Sequence, residues 1–538
     1  MLENQADARS GHGSGHRFRE RTRLFTTKVV EAAGEWYDRE GTWTADTTPP
    51  HTRERYWLAG ALYAAGEAEW ANAIAGKGET ESYGDIRFNI FNTNIAASLL
   101  IAHRDKMSAV VRDELASLVR DGFSFKPGNR QPDFQFHGYN DNMPAKATAG
   151  LILGGQLLGN REAVDYGIWN LRQFRAMLVR SGINSEFNSP TYTGLTIRAM
   201  GEIAEHAEDE EARALALGIE RRLWIDLAAR FHPEMGVLAG PYSRAYTVDN
   251  AAHASCISGL LWFCLGDRVH PSPMLLFDKP DDLVLHHMGD VPFNVAQFCW
   301  FAGGEYHIPD TALRLFEAKP YPFRAVASCE LGAGEGTDFL ARSSRIETAL
   351  FPDYALGTSS APFGSMEQNN SYFVTYKRKE IVDAYRDIGT IFTKLVVNDE
   401  VPGTIVRAKD GDREYANAGG SRYCPLLRQY VYDSVRVYGA RAHASASLVR
   451  RDRGPQAAVG DQRADRPVRA RRGRRRADRR RRAAAGVVRR SGAWAVDRMP
   501  YRQAALRLPA DGLHPGPAAG GDPSGIERKV SIYPHSFI

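Results

Sequence analysis

The chain has 538 residues, of which 43% are hydrophobic and 25% charged, and its formal charge is +5. That length gives room for roughly two to four domains with large cores, and that composition excludes a wholly disordered chain, a collagen and a disulfide-stapled miniprotein. Every apolar stretch of about 18 residues is broken by charge, which excludes a membrane-spanning helix.

The opening stretch, MLENQADARSGHGSGHRFRERTRLF, is polar and basic with no apolar segment. It reads as a flexible N-terminus over residues 1–24 rather than as a secretory signal, so the chain as written is expected in the cytoplasm. A start lying upstream would instead place it in the periplasm or outside the cell. Cys256, Cys264, Cys299, Cys329 and Cys424 are scattered and include no C-x-x-C pair. They argue against a disulfide framework and against a thiolate zinc site.

Residues 25–310 read as paired helices. Thr52 to Ala75 spaces apolar residues three or four apart among small Ala and Gly. Similar segments run from Asn92 to Arg104, Met143 to Gly159, Ser189 to Ala207 and Asn250 to Gly266. Each opens on or close to an Asn, Ser or Thr able to cap a helix, and each is apolar enough for burial on most sides. Charged amphipathic segments alternate with them: Lys106 to Gly122, Ala163 to Gly182 and Glu210 to Phe231. The starts at Asn94, Asn142 and Pro190 are 48 residues apart, with the next at Asn250. A period near 50 residues predicts stacked helical hairpins, best arranged as an incomplete α/α toroid with small-residue helices inside and polar loops at one rim.

Asp278 to Asp282 closes the clearly helical part, and Pro292 to Pro309 is either one more helix or a linker. Residues 323–440 carry β-like runs, Phe339 to Phe351, Tyr372 to Arg386 and Ile391 to Asp399, separated by Gly, Pro, Asn and Asp. They predict the front portion of an antiparallel β-sandwich, truncated or disrupted after that point. GAGEG at Gly332 to Gly336 reads as a turn.

The charge becomes informative once it is divided by region. Residues 441–510 hold 21 Arg, no Lys and 5 Asp or Glu, a local charge of +16 that leaves −11 on the remaining 468 residues. Runs such as Arg469 to Arg482 have no periodicity, and Lys is absent from Gly411 to Arg528. Arg, Ala, Gly and Pro have GC-rich codons. The 441–528 stretch therefore reads as a shifted-frame translation of a GC-rich gene, ahead of a solvated disordered tail or a nucleic-acid arm, with 529–538 as a remnant. No function is assigned to it, and neither nucleic acid nor membrane is expected as a partner.

The loops entering the small-residue helices are where chemistry would gather: Phe88 to Asn94, Phe136 to Asn142, Asn184 to Gly194 and Ala239 to Asn250. They carry Asn, His, Tyr, Arg and Glu, with aromatics suited to stacking on sugar faces. A toroid followed by a sandwich, with such loops at inner-helix starts, resembles the polysaccharide lyases of the heparinase II/III and alginate or hyaluronate lyase type over Phe25 to Val401. The resemblance implies β-elimination on an acidic polysaccharide or oligosaccharide, with no cofactor and no metal. Breaking a bond to O4 of a uronate needs abstraction of the weakly acidic C5 proton, which becomes possible once the adjacent carboxylate is neutralised. By that resemblance Asn140 or Asn142, with Arg244, neutralises the carboxylate, and His137 and Tyr192 are candidates for base and acid, with Tyr139, Tyr242 and Tyr246 as substitutes. Asn92, Asn94, Tyr139, Asn188, Tyr242 and Asn250 line the substrate.

Plainer roles compete with each of these. Asn140, Asn142, Asn188 and Asn250 are good helix caps, Tyr192 suits packing in a first helical turn, and Arg244 suits holding an acidic partner. His103 and His253, within apolar segments, read as core histidines. His286, His287 and Asp290 lack companions at metal spacing. Toroids also support glycoside hydrolysis by two carboxylates, for which Glu186 with Asp141 or Asp249 is the alternative set. A non-catalytic carbohydrate-binding repeat is the third reading.

Overall fold

The computed structural model describes residues 16–46, 49–50, 52–77, 90–124, 136, 141–245, 251–269, 272–278, 291–331, 342–361 and 371–392. The turn at 332–336, the His286–His287–Asp290 group, the second half of the expected sandwich and everything from 393 onward, the Arg-rich stretch included, lie outside the described residues.

Helix α1, His16–Trp36, begins inside the segment expected to be flexible. Phe18, Phe25 and Val29 share one face and are buried. Phe25 meets Phe263 edge-on, with ring centroids 5.2 Å apart. Arg21 donates to the carbonyls of Phe263 at 2.7 and 2.9 Å and of Cys264 at 3.2 Å, a cation placed on the carbonyl end of another helix. Apolar spacing thus recruits residues 16–24 despite their polar surroundings.

The stretch expected as one helix from Thr52 to Ala75 is two, α2 (Thr52–Ala65) and α3 (Ala68–Ala75). Gly66 separates them at φ +92°, a backbone setting that L side chains rarely adopt. Then follow α4 (Ile90–His103), α5 (Ala109–Asp121), α6 (Asn142–Leu158) and α7 (Arg161–Ser181). After these come α8 (Thr193–His206), α9 (Glu210–Arg230), α10 (Cys256–Leu265), α11 (Val291–Ala302) and α12 (Asp310–Glu317). The segment from Pro292 is therefore a helix.

The small-residue helices pack on one another in the order α2, α4, α6, α8, α10, α11, and α11 packs on α2. The last contact stacks Trp57 on Trp300, with centroids 5.4 Å apart and ring planes at 14°. The amphipathic α5, α7 and α9 pack on α4, α6 and α8 respectively.

Among the described residues, neither Asn142 nor Asn188 caps a helix, and Asn140 and Asn250 lie outside them. Asn94 lies inside α4 and donates to Glu202 at 3.1 Å. Asp141, not an Asn, takes the N-cap position of α6, and Tyr192 that of α8, neither with a capping side-chain bond. The amides are used on carboxylates and loop carbonyls instead.

Across the described residues the chain is helical first and β-rich afterwards, with a mixed six-stranded sheet. The strands are β1 (Gly182–Ile183), β4 (Phe323–Leu331), β5 (Arg342–Phe351), β6 (Tyr354–Ser359), β7 (Tyr372–Lys377) and β8 (Ile388–Phe392), neighbours in that order. Strands β4 to β8 pair antiparallel as expected, but β1 pairs parallel with β4, Gly182 opposite Ser328 and Ile183 opposite Cys329. A separate short pair joins β2 (Phe231–His232) to β3 (Val237–Leu238). Ile183, Phe187, Cys329, Leu331 and Ile346 form one apolar cluster under the sheet. Met235, Val237, Ala239, Leu350, Ala355, Val382 and Ile388 form another. Both clusters include residues of the segments that carry the site.

Candidate functional site

Three segments deliver the polar groups: the start of α6, the loop from β1 to α8, and the loop after β3. Asp141 and Glu186, both fully buried, hold each other's main chain. Asp141 Oδ2 accepts the Glu186 N–H at 2.6 Å and the Asn184 amide at 3.1 Å. Glu186 Oε2 accepts the N–H groups of Asn142 at 2.9 Å and Asp141 at 3.3 Å, so a carboxylate sits on the N-terminus of α6 where donors point outward. The Asn142 amide donates to both Glu186 oxygens, at 3.1 and 3.0 Å.

Arg244 completes the arrangement. Its guanidinium donates to Glu186 Oε1 at 2.6 Å and lies over the Tyr192 ring, 3.9 Å from the centroid. A charge-assisted bond on one side and a cation–π contact on the other fix its plane. Its carbonyl accepts the Ser189 hydroxyl at 2.8 Å. Asn188, in the left-handed region at φ +48°, donates to the carbonyls of Ala239 at 2.7 Å and Pro241 at 2.8 Å, lacing the two loops together. Asn tolerates that conformation better than most residues, which explains the residue type.

The sheet supports this lacing from behind. Thr348 of β5 donates to the Gly240 carbonyl at 2.6 Å. A β-carbon on Gly357 of β6 would lie 1.9 Å from the Gly240 carbonyl carbon, so only glycine allows that approach.

Further charges enter from α2 and α6. Arg53 pairs with the buried Glu54 in the first turn of α2. Lys146, one turn along α6 from Asn142, is 1% exposed. Burial, and then repulsion from Arg53, push the Lys146 ammonium well below its ordinary range, against attraction from Glu186 and Glu54. Burial pushes the Glu54 carboxyl up, opposed by Arg53. Burial, and then the Glu186 charge, raise Asp141 to about 7, against the amides that donate to it. Asp141 Oδ1 has no hydrogen-bond partner among the described residues.

Of the residues expected at the site, Asn142, Glu186, Tyr192 and Arg244 come together and Asn188 braces them. Asn94 is directed elsewhere: with Ser98 (2.7 Å), Trp300 (2.8 Å) and Arg198 (3.1 Å) it surrounds the buried Glu202. Tyr242 is a packing residue rather than a substrate contact, buried with its hydroxyl on the Leu238 carbonyl at 2.6 Å and its ring against Phe373. His137, Tyr139, Asn140, Tyr246, Asp249 and Asn250 lie outside the described residues, as does the side chain of Asn92. His103 is half-buried and stacked on Tyr63, with ring centroids 5.5 Å apart. His253 Nε2 contacts the Ile388 carbonyl at 3.1 Å. Among the described residues no three His, Cys, Asp or Glu side chains gather at metal spacing.

Arg53, Glu54, Lys146 and Asn184 were not expected at the site. For Arg53, Glu54 and Lys146 the signal is a charge inside an otherwise apolar helix, Lys146 in MPAKATAG and Arg53-Glu54-Arg55 before YWLAGAL. The arrangement can hold an anion beside a phenol: a guanidinium fixed by a buried carboxylate, 16% exposed, above a half-buried tyrosine.

No curated protein matches the chain, and no solved structure does. Residues 142–298 match a domain of unknown function, DUF8769. That span begins at Asn142 and takes in Glu186, Tyr192 and Arg244.

Proposed function

We propose that the chain is a carbohydrate-active enzyme, a polysaccharide lyase that cleaves uronate-containing glycans by β-elimination on an α/α toroid followed by a β-sandwich. The ring is supported by the packing order of the small-residue helices, which returns from α11 to α2. One observation carries the chemistry: Arg244, anchored by Glu186, lies over the Tyr192 ring, 3.9 Å from its centroid.

In this reading Arg244 meets the uronate carboxylate and offsets the charge that develops when the C5 proton leaves. The base removes that proton, its electron pair forms the C4–C5 double bond, and the C4–O4 bond breaks. The departing O4 takes a proton from Tyr192. His137 and Asn140 complete the set as base and second neutraliser. Glu186 and Asn142 act as positioning residues that aim Arg244. The hydrolytic alternative asks Glu186 to donate a proton to a leaving group. All its observed bonds are donated to it by backbone, amide and guanidinium, so it serves as an anchor.

The test is incubation with uronate glycans while following the ultraviolet absorbance of the unsaturated uronate product. The expected result is a rising chromophore, and a fall of about 10²–10⁴ in kcat for Tyr192→Phe, the usual size of a general acid–base contribution. New reducing ends without the chromophore would establish hydrolysis. Neither signal would leave a binding repeat.

A further inference from the structure

The outer face of the six-stranded sheet carries a row of side chains that neither the core nor the Arg244 site uses. Along β5, Ile346, Thr348 and Leu350 are buried against the segments that carry the site, so Glu347, Ala349 and Phe351 face the other way. Register continues that face across the sheet. Phe351 pairs with Tyr354, Tyr354 with Tyr376, and Tyr376 with Gly389, which aligns three aromatic side chains from β5 to β7 and ends on a glycine of β8. Phe351 and Tyr354 are stacked, with centroids 4.5 Å apart and ring planes at 16°. A β-carbon on Gly389 would strike the Tyr376 ring, so that ring lies against the glycine. Tyr354 is 42% exposed, while Phe351 and Tyr376 are half-buried. The hairpin tip that presents the stacked pair is pinned: His232 Nε2 meets the Phe351 carbonyl at 2.8 Å, and the Lys377 N–H donates to the Asp353 carbonyl at 2.9 Å. Aromatic rings on a fixed support lose little freedom when a ligand is laid on them.

Charge on this face is positive. Arg324 of β4 opposes Ala349 and so stands diagonal to Phe351. It donates to Glu347 at 2.5 Å, and Arg345 donates to the same carboxylate at 3.4 Å. The two guanidinium side chains are each 59% exposed and the carboxylate only 20%, so solvent meets the cations. We propose that Arg324, Phe351, Tyr354 and Tyr376 form a surface strip that holds a stretch of acidic polysaccharide on the side of the sheet away from the Arg244 loop. The C–H face of a sugar packs on an aromatic ring by dispersion, the tyrosine hydroxyls reach sugar hydroxyls, and Arg324 meets a carboxylate. At roughly 4.8 Å between strands, the row from β5 to β8 spans about 14 Å, room for a few consecutive sugars. Thr348 and Gly357 approach Gly240 from the other face of the sheet, so the strip is a second site, which keeps a long chain on the protein between cleavages. This rests on reading the substrate as an acidic polysaccharide, and not on how its bond is broken.

The experiment is affinity electrophoresis of the full chain through gels containing either a polyuronate or the same polymer with its carboxyl groups reduced to alcohols. The variants are Tyr354→Ala, Tyr354→Trp and Arg324→Gln, each compared with wild type so that binding by the Arg-rich stretch cancels. Tyr354→Ala should weaken binding of both polymers about tenfold and Tyr354→Trp should retain it, whereas Arg324→Gln should weaken the polyuronate alone. Tyr354→Ala should also raise KM on the polyuronate and leave cleavage of a uronate trisaccharide unchanged. Arg324→Gln provides the answer if Tyr354→Ala does not fold. Wild-type binding by both Tyr354→Ala and Arg324→Gln, or no binding by the wild type, would overturn the strip. So would conversion of a dimer to a monomer by Tyr354→Ala with glycan binding unchanged, which would make the face a contact between two copies of the chain. Binding that responds to the variants as expected, without any ultraviolet chromophore, would overturn the elimination reading and leave the strip standing.

Discussion

Glu186→Gln keeps the volume at the centre of the site and removes the charge that faces Arg244 2.6 Å away. Breaking one side of a buried pair typically destabilises by about 3–5 kcal/mol, so a lower Tm is expected, along with a drop in kcat larger than any change in KM as Arg244 loses its aim. Thermal melts and steady-state kinetics on the same preparation check both. Asp141→Asn tests the other half of the clasp. With its folded value near 7 and its ordinary value of 3.8, Asp141 holds a proton in the fold that it would release when unfolded. Its contribution is therefore complete below about pH 4 and is lost as pH rises through 7, on the order of 4 kcal/mol in all. His232, held near 4 by burial, slopes the opposite way between 4 and 6.5. Wild-type stability relative to Asp141→Asn should fall from pH 4 to 7, a difference in which His232 cancels; a flat difference curve would show that Asp141 is ionised in the fold. Glu186 was legible as a carboxylate among aromatics, but its partners were not. Asn142 is 44 residues and Arg244 58 residues away in the chain, and an Asn before a helix fits a cap as well as it fits an anchor.

Among the elements, the approach of β6 to the site loop gives the sharpest expectation. Gly357→Ala should push the Gly240 carbonyl away, loosen the loop that presents Arg244, and lower kcat/KM by about tenfold, while the remaining sheet contacts limit the loss of stability to about 1–3 kcal/mol. Kinetics and a denaturant titration separate the two effects. The alternation of small-residue and amphipathic helices was readable because burial on most sides and burial on one side leave different patterns. The break at Gly66 was not, since an isolated glycine is tolerated within many helices. Strand β1 was invisible for a simpler reason. Two residues cannot display alternation, and its pairing partner begins more than a hundred positions later. The β-like character from Phe323 onward was readable, whereas the short β6 carries too little pattern to stand out.

Across the whole molecule the contact between α2 and α11 joins helices from opposite ends of the helical region, and Trp300 is its centre. That residue stacks on Trp57 and donates to the buried Glu202. Trp300→Ala should destabilise by about 3–5 kcal/mol and leave Glu202 with fewer donors, which calorimetry would register as a lower Tm. The succession from helices to strands was legible from composition alone, because each class buries apolar surface with its own period. The contact between α2 and α11 was not legible in the sequence, since it depends on the angle each helix pair adds to the last.

The rung formed by Gly182 and Ile183 against Ser328 and Cys329 has a mechanical consequence. It stitches the segment leaving α7, directly ahead of Glu186, to a strand 146 positions later in the chain. Heat should therefore melt helices and strands as one cooperative event, and a scanning trace with two resolved peaks would mean that this stitch does not hold. A lesion in β4 would reach Glu186 through a seam only two residues long.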